Sequence, residues 1–183
     1  MFRKKIITLL FLCLAWKGQA QNRYFTKTGK ITFTAGTAME DIDAVNKSAT
    51  SVFDISNGQI EFAVLIKGFE FRRGLMQEHF NENYLESEKY PKSIFKGRFD
   101  DATKIDFKKD GSYPALVKGT LEIHNVKKEV EISGTIKVSG GVISSASEFK
   151  VQLADYGIKI PGAVKDKISS TVEIKVSCDY KML

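Results

Sequence analysis

The sequence predicts an all-β protein of about eight antiparallel strands, and three observations indicate it. Apolar and polar residues alternate along most of the chain, as in strands with one buried and one exposed face. Turn signals at residues 57–58, 110–111 and 140–141 separate the alternating segments. Helical spacing is confined to residues 74–90. Long strands favour a closed up-and-down barrel, because closure removes exposed edges, although a sandwich also fits the pattern.

The chain begins with the features of a secretory signal peptide. The Arg-Lys-Lys of residues 3–5 precedes an apolar run over residues 6–16, which is too short to span a bilayer comfortably. Small residues at Gly18 and Ala20 occupy the two positions that determine cleavage. We therefore expect residues 1–20 to be removed after Ala20, and the remaining protein to lie in the periplasm or outside the cell.

Residues 21–183 are long enough for one domain with a sizeable core. The full chain has 28 Lys and Arg against 22 Asp and Glu, and four of the cations lie in residues 1–20. The expected mature chain therefore has 24 against 22, a net charge of +2. Because it contains no long Lys/Arg run, nucleic-acid binding has little support. We also expect no stable membrane span after cleavage.

Each alternating segment places its apolar residues on one face. The apolar sets are Ile31, Phe33 and Ala35; Ile60, Phe62, Val64 and Ile66; Tyr113, Ala115, Val117, Leu121 and Ile123; Val130, Ile132, Ile136 and Val138; Phe149, Val151 and Leu153; and Ile168, Val172, Ile174, Val176, Cys178 and Tyr180. Weaker strand patterns cover residues 45–54 and 93–99, which completes a set of eight.

Cys178 is expected to be a buried and unreactive thiol. It shares the apolar parity of Val172, Ile174 and Val176. The other cysteine, Cys13, would leave with the signal peptide, so no disulfide within the mature chain is expected. A buried cysteine behaves as a small apolar residue.

The segment MQEHFNENYLESEKYP, residues 76–91, interrupts the strand pattern. Met76, Phe80 and Tyr84 are spaced four residues apart, and Pro91 ends the segment. Asn81 and Asn83 are both residue types that begin helices, so one helix and two short helices fit equally well. An insertion of this size between two barrel strands is expected to lie over an open end.

No catalytic, metal or cofactor site is predicted. The sequence contains two histidines, His79 and His124, and neither has the paired-histidine spacing of a zinc helix. The chain also lacks the Gly-x-Ser-x-Gly motif of a nucleophile elbow. An enzyme that uses His79 or His124 is therefore the weakest of the alternatives.

Three stretches of the chain resemble the YceI-like family. They are HFNENYLESEKYPKSIFKG, YPALVKGTLEIHNVKKEVEISGTIKV and SEFKVQLADYGIKIPGAVKDKISSTVEIKV, and the resemblance extends from about Phe25 to Tyr180. Members of that family are secreted or periplasmic lipocalin-like barrels associated with binding polyisoprenoids or other long apolar lipids. One departure is Asn125, where the family usually has glycine; Asn also tolerates a left-handed backbone.

The resemblance implies a closed antiparallel, lipocalin-like barrel with a lumen large enough for a ligand and a short helical cap over residues 74–90. It implies a secreted or periplasmic carrier of a long apolar lipid such as a polyisoprenoid. The ligand-binding residues of the lumen and cap would be Phe62, Val64, Ile66, Leu75, Met76, Phe80, Tyr84, Phe95, Val117, Leu121, Ile132, Phe149 and Leu153. A structural or stress-related barrel with a filled core stays open as an alternative, and so does a homodimer.

Overall fold

The structure is a computed structural model that describes residues 22–183. The expected signal peptide lies outside the described residues. Nine strands are present in this part of the chain: β1 Arg23–Gly36, β2 Asp43–Asp54, β3 Gln59–Leu65, β4 Glu70–Phe71, β5 Lys92–Phe99, β6 Gly111–Ile123, β7 Val126–Ser139, β8 Val142–Gln152 and β9 Ile168–Met182. Helix α1, Gly74–His79, continues into a π-helical turn, Phe80–Tyr84. Among residues 22–183, no helix is long and apolar enough to cross a membrane.

Eight of the strands close into an antiparallel barrel. Their order is β1-β9-β8-β7-β6-β5-β3-β2, and β2 pairs with β1 to complete the circle. Between β5 and β6 the backbones approach closely at the pair Gly97 and Gly119, where a Cβ on Gly119 would lie 2.3 Å from the Lys96 carbonyl oxygen. The prediction of a closed antiparallel barrel is therefore confirmed, and the sandwich is excluded.

The ninth strand, β4, continues the path of β3 along β2 after a break. A 3-10 turn, Ile66–Gly68, separates the two strands. The buried Asn46 side chain of β2 lies beside this break, and its Nδ2 donates to the Leu65 carbonyl oxygen at 3.0 Å. Its Oδ1 accepts from the Ser48 N–H at 2.8 Å. The amide side chain thus forms a hydrogen bond where the strand ladder is interrupted, as buried backbone groups require.

The two ends of the barrel differ. At one end, the plugged end, Phe53 is completely buried, with its ring centroid 5.0 Å from Phe99 and 5.4 Å from Phe107. Tyr180 packs against the same ring at 6.2 Å. At the other end, the capped end, lie the connections formed by residues 37–42, 66–91, 124–125 and 153–167. Aromatic packing therefore fills the barrel at the plugged end.

Strands β7 and β8 separate towards the capped end. They pair only between residues 134–139 and 142–147. Residues 126–133 of β7 pair only with β6, and residues 148–152 of β8 pair only with β9. The 3-10 turn Leu153–Tyr156 packs against β7 and β9 at this gap, and Tyr156 is buried there. The turn thus occupies the place where the sheet is splayed.

The cap, residues 74–90, differs from the prediction in its second part. Helical conformation ends at Tyr84, and residues 85–90 form turns rather than helix. The wide π turn is closed by a bond from the Leu85 N–H to the Phe80 carbonyl oxygen at 2.9 Å. Glu86 then takes a left-handed backbone, with φ of 44°, which stops the helix before Pro91. The predicted helical boundary at about residue 90 was therefore wrong.

Cys178 is 3% exposed, which confirms the expected burial of its side chain. Its Sγ lies against Gly29, because a Cβ added there would be 2.8 Å from the sulfur. Burial is the largest influence on the thiol and raises the pKa of Cys178 from 9.0 to about 11. The reactive thiolate is therefore suppressed at neutral pH.

We predict that native Cys178 resists alkylation. At neutral pH without denaturant, iodoacetamide should modify a small fraction of the protein, and in denaturant it should modify all of it, as measured by intact mass. Rapid stoichiometric labelling of the native protein would contradict both the burial of Cys178 and the register of β9.

The same thiol predicts a loss of stability in alkali. Because the pKa is raised in the folded state, the folded protein holds this proton more tightly than the unfolded chain does. The resulting stabilisation is complete below about pH 9 and is lost as the pH rises towards 11. Urea unfolding across this range should show a steeper decline for the wild type than for Cys178→Ala. Equal slopes for the two proteins would refute the prediction.

Candidate ligand cavity

A cavity of about 510 Å³ lies inside the barrel and opens at the capped end. This volume falls within the range of roughly 300–1,000 Å³ that is usual for small-molecule sites. All thirteen residues predicted to bind ligand lie on its wall: Phe62, Val64, Ile66, Leu75, Met76, Phe80, Tyr84, Phe95, Val117, Leu121, Ile132, Phe149 and Leu153. Their common location is a finding, whereas their binding role stays a prediction.

Strand parity explains most of this wall. Phe62 and Val64 of β3 and Val117 of β6 point inward because side chains alternate along a strand. Leu75 differs: it lies at the rim of the cavity and its side chain is 63% exposed. The resemblance placed Leu75 among the ligand-binding residues of the lumen and cap, whereas it projects at the start of α1, where the chain leaves the barrel.

Four phenylalanines attach the cap to the barrel. The Phe80 ring stacks on Phe33 of β1 with centroids 5.5 Å apart and an interplanar angle of 28°. It also contacts Phe69 at 5.6 Å and Phe71 at 5.0 Å. Such aromatic pairs add about 0.5–1.5 kcal/mol each beyond the area that they bury. The cluster of Phe33, Phe69, Phe71 and Phe80 therefore holds the cap over the opening while leaving the lumen below it unfilled.

Sequence reasoning missed three of these four rings as part of the site. Phe33 was assigned to an apolar strand face, but no ligand role was attached to it. Phe69 and Phe71 have alternating spacing directly after Gly68, and this was the available signal for β4. Both rings line the cavity wall together with Phe33.

Charged groups occur on the cavity wall only at its mouth, within the part of the chain that the structure describes. They are Glu40, Arg73 and Lys167, with His79 beside them. The Glu40 carboxylate accepts from Arg73 at 2.8 Å and lies 3.5 Å from the Lys167 ammonium. These side chains come from three separate connections, so no sequence motif joins them. The ion pairs link the segments that surround the opening.

Tyrosine hydroxyls contribute polarity to the wall without charge. Tyr84 lies on the cap and Tyr156 at the gap between β7 and β8. Burial raises the pKa of Tyr84, and burial together with the nearby Asp155 raises the pKa of Tyr156. Both phenols therefore stay protonated at neutral pH and are available as neutral hydrogen-bonding groups.

His124 has a structural role in a contact between three segments. Its Nε2 lies 2.8 Å from Glu86 Oε2 of the cap, and its Nδ1 lies 3.3 Å from the Tyr156 carbonyl oxygen. The Tyr90 ring packs edge-on against the imidazole at 4.7 Å. His124 and Asn125 both have a left-handed backbone, with φ of 51° and 62°, so Asn125 adopts the turn that glycine would favour.

The two histidines do not form a shared site. His79 is exposed at the mouth, whereas both ring nitrogens of His124 face oxygen atoms of neighbouring segments. Among residues 22–183, no group of three or more His, Cys, Asp and Glu side chains is placed to hold a metal ion. The expectation that the protein needs no metal or cofactor stays a prediction.

We predict that His124→Asn destabilises the protein by about 1–3 kcal/mol, because it removes the link to Glu86 and leaves the Tyr156 carbonyl oxygen without its partner. Asparagine keeps the left-handed turn accessible, so the loss reports the side-chain contacts. His79→Asn is the matched control and should change the free energy of unfolding by less than about 0.5 kcal/mol. Equal effects in urea denaturation would contradict a structural role for His124.

The barrel, the cap and the apolar lumen define a lipocalin-like fold with a covered cavity. The YceI-like domain model matches residues 19–180, and the chain belongs to this family. The curated proteins contain no match to this sequence.

Solved structures share the fold at low sequence identity. A polyisoprenoid binding domain from Saccharophagus degradans has a TM-score of 0.77 at 12% identity, covering 89% of this chain and 99% of its own. Burkholderia cenocepacia BcnA has a TM-score of 0.68 at 14% identity, covering 84% and 96% respectively. The Campylobacter jejuni YceI protein has a TM-score of 0.52 at 16% identity, covering 98% and 92%.

Proposed function

We propose that this protein is an exported carrier that binds one long apolar lipid chain, such as a polyisoprenoid, in its barrel. The observation that carries the proposal is the 510 Å³ cavity, whose wall is mostly aliphatic and aromatic and has charged side chains only at the mouth among residues 22–183. A ligand with an apolar tail and a small polar head matches that distribution. No reaction is included in the proposal.

The binding free energy at such a site depends on the length of the lipid chain and on the exclusion of water from the lumen. Each methylene transferred from water into an apolar lumen contributes about 0.8 kcal/mol. A long chain therefore needs few hydrogen bonds to bind. Met76 and Phe80 lie where the chain would pass the cap, and the flexible thioether of Met76 adapts to irregular ligand shapes.

The ends of the barrel set the direction of entry. The aromatic packing around Phe53 fills the plugged end, so the ligand would enter at the capped end. Displacement of the cap or of the Glu40 ion pairs would widen that opening. Both features lie on connections rather than on the barrel strands, which lets them move while the barrel stays paired.

Two further lines support this function. The solved structure from Saccharophagus degradans is described as a polyisoprenoid binding domain. The family match begins at residue 19, which leaves the expected export signal almost entirely outside the domain. The alternative of a filled core is disfavoured by the cavity. The alternative of a hydrolase is disfavoured where it uses His124, because both ring nitrogens of that residue contact neighbouring segments.

Neighbouring residues of β3 provide a matched test. Val64 is 7% exposed and faces the lumen, whereas Leu65 is 51% exposed and faces outward. We predict that Val64→Glu abolishes binding of a fluorescent fatty-chain probe and lowers stability by about 3 kcal/mol or more, because the carboxylate is buried without a partner. Leu65→Glu should leave probe binding unchanged and alter stability by less than about 0.5 kcal/mol.

A second variant separates loss of binding from loss of folding. Ile132 is half-buried on the cavity wall, so Ile132→Trp adds volume to the lumen without burying a charge. We expect this variant to keep its circular dichroism spectrum and to bind the probe at least tenfold more weakly. Unchanged probe binding in both Val64→Glu and Ile132→Trp would refute the lumen as the binding site.

A further inference from the structure

Two apolar side chains project from the rim of the cavity mouth. Met39, in the connection between β1 and β2, is 70% exposed, and Leu75, at the start of α1, is 63% exposed. These are the highest exposed fractions among the large hydrophobic side chains of residues 22–183. Leu75 lies on the cavity wall, and Met39 lies beside Arg73 and Met76, which are also on that wall.

Cations surround these two side chains. Arg72 and Arg73 precede Leu75, and Lys165 and Lys167 follow the cavity residue Val164 in the connection between β8 and β9. All four are exposed. The nearby carboxylates are Glu40, Asp41, Asp43 and Asp166.

Two of the four carboxylates are already engaged. Glu40 pairs with Arg73 and Lys167, and Asp43 accepts from the Thr34 hydroxyl at 2.8 Å. The rim thus has four cations and four carboxylates, and it is the pairing that distinguishes the cations. Arg73 and Lys167 are held by Glu40, whereas Arg72 and Lys165 form no ion pair among residues 22–183 and are exposed to an external anion.

We propose that this rim docks the protein on a lipid bilayer that contains anionic lipids. Met39 and Leu75 enter the interface, while Arg72 and Lys165 contact lipid phosphates with their apolar stems lying against the surface. The bilayer is the occupant that fits, because the lipid cavity opens between these residues. A lipid chain would then pass from membrane to cavity without exposure to water. The purpose of docking rests on the proposed function, but docking itself is measured separately.

The opposite end of the barrel provides the control surface. Val142, in the β7–β8 hairpin, and Met182, at the end of β9, are each 54% exposed. They lie at the plugged end, where aromatic rings fill the barrel. Large apolar residues are thus exposed at both ends, and those of the capped end adjoin the mouth of the cavity.

The test is co-sedimentation with vesicles of phosphatidylcholine, with or without a minority of phosphatidylglycerol. We expect the mature protein to bind the anionic vesicles. The affinity of the double variant Met39→Ser, Leu75→Ser for these vesicles should be at least about tenfold lower, because two apolar side chains no longer insert into the bilayer. The control variant Val142→Ser, Met182→Ser should bind like the wild type.

Charge is tested with Arg72→Gln, Lys165→Gln, which should weaken binding to the anionic vesicles and reduce its dependence on salt. Three results would overturn the proposal: no sedimentation of the wild type, equal losses in the rim and control variants, or equal binding to neutral and anionic vesicles. Native mass spectrometry of the same variants reports cavity occupancy. If the wild type carries lipid but does not sediment with vesicles, the docking proposal alone is refuted. If the wild type sediments as expected but never carries lipid, the proposed lipid ligand alone is refuted.

Discussion

The contact between Phe80 and the rings of Phe33, Phe69 and Phe71 allows the barrel to have a covered opening above an unfilled lumen. These rings lie 5.0 to 5.6 Å from Phe80 and hold the cap over the opening. A helix inserted deeper would fill the lumen, and a helix without this anchor would leave the opening uncovered. The break between β3 and β4 places Phe69 and Phe71 at the opening, where they contact Phe80, and the Asn46 amide stabilises that break.

Stability and binding are separated along the barrel axis. The plugged end contains two large and fully buried side chains, Phe53 and Ile143, together with the Ser51–Tyr180 hydrogen bond of 3.1 Å. The capped end contains the cavity, the splayed strands β7 and β8, and the ion pairs of Glu40. A tightly packed half can maintain the barrel while the other half leaves apolar surface available to a ligand. This division follows from close packing, which a protein interior needs for stability but a lumen must lack.

Alternation along the strands was sufficient to predict which residues of the recognised strands face the interior. Val64 and Leu121 point into the cavity because every second residue of a strand faces the same side. Tyr156 and Ile158 were not predicted, because they lie in an irregular connection and are buried only where β7 and β8 separate. The ion pairs at the cavity mouth could not be predicted either, because Glu40, Arg73 and Lys167 lie in separate connections that meet only in the closed barrel. Leu75, which the resemblance placed among the ligand-binding residues, lies at the rim because it is at the start of α1.

The central claim is that the lumen holds an apolar chain. Native mass spectrometry of residues 21–183, purified without detergent and followed by organic extraction of the same sample, tests this claim most directly. The proposed function predicts an added mass that corresponds to one lipid per chain and the recovery of that lipid in the extract. A protein found only at its bare mass, with no extractable lipid and no uptake of added polyisoprenoid, would contradict it.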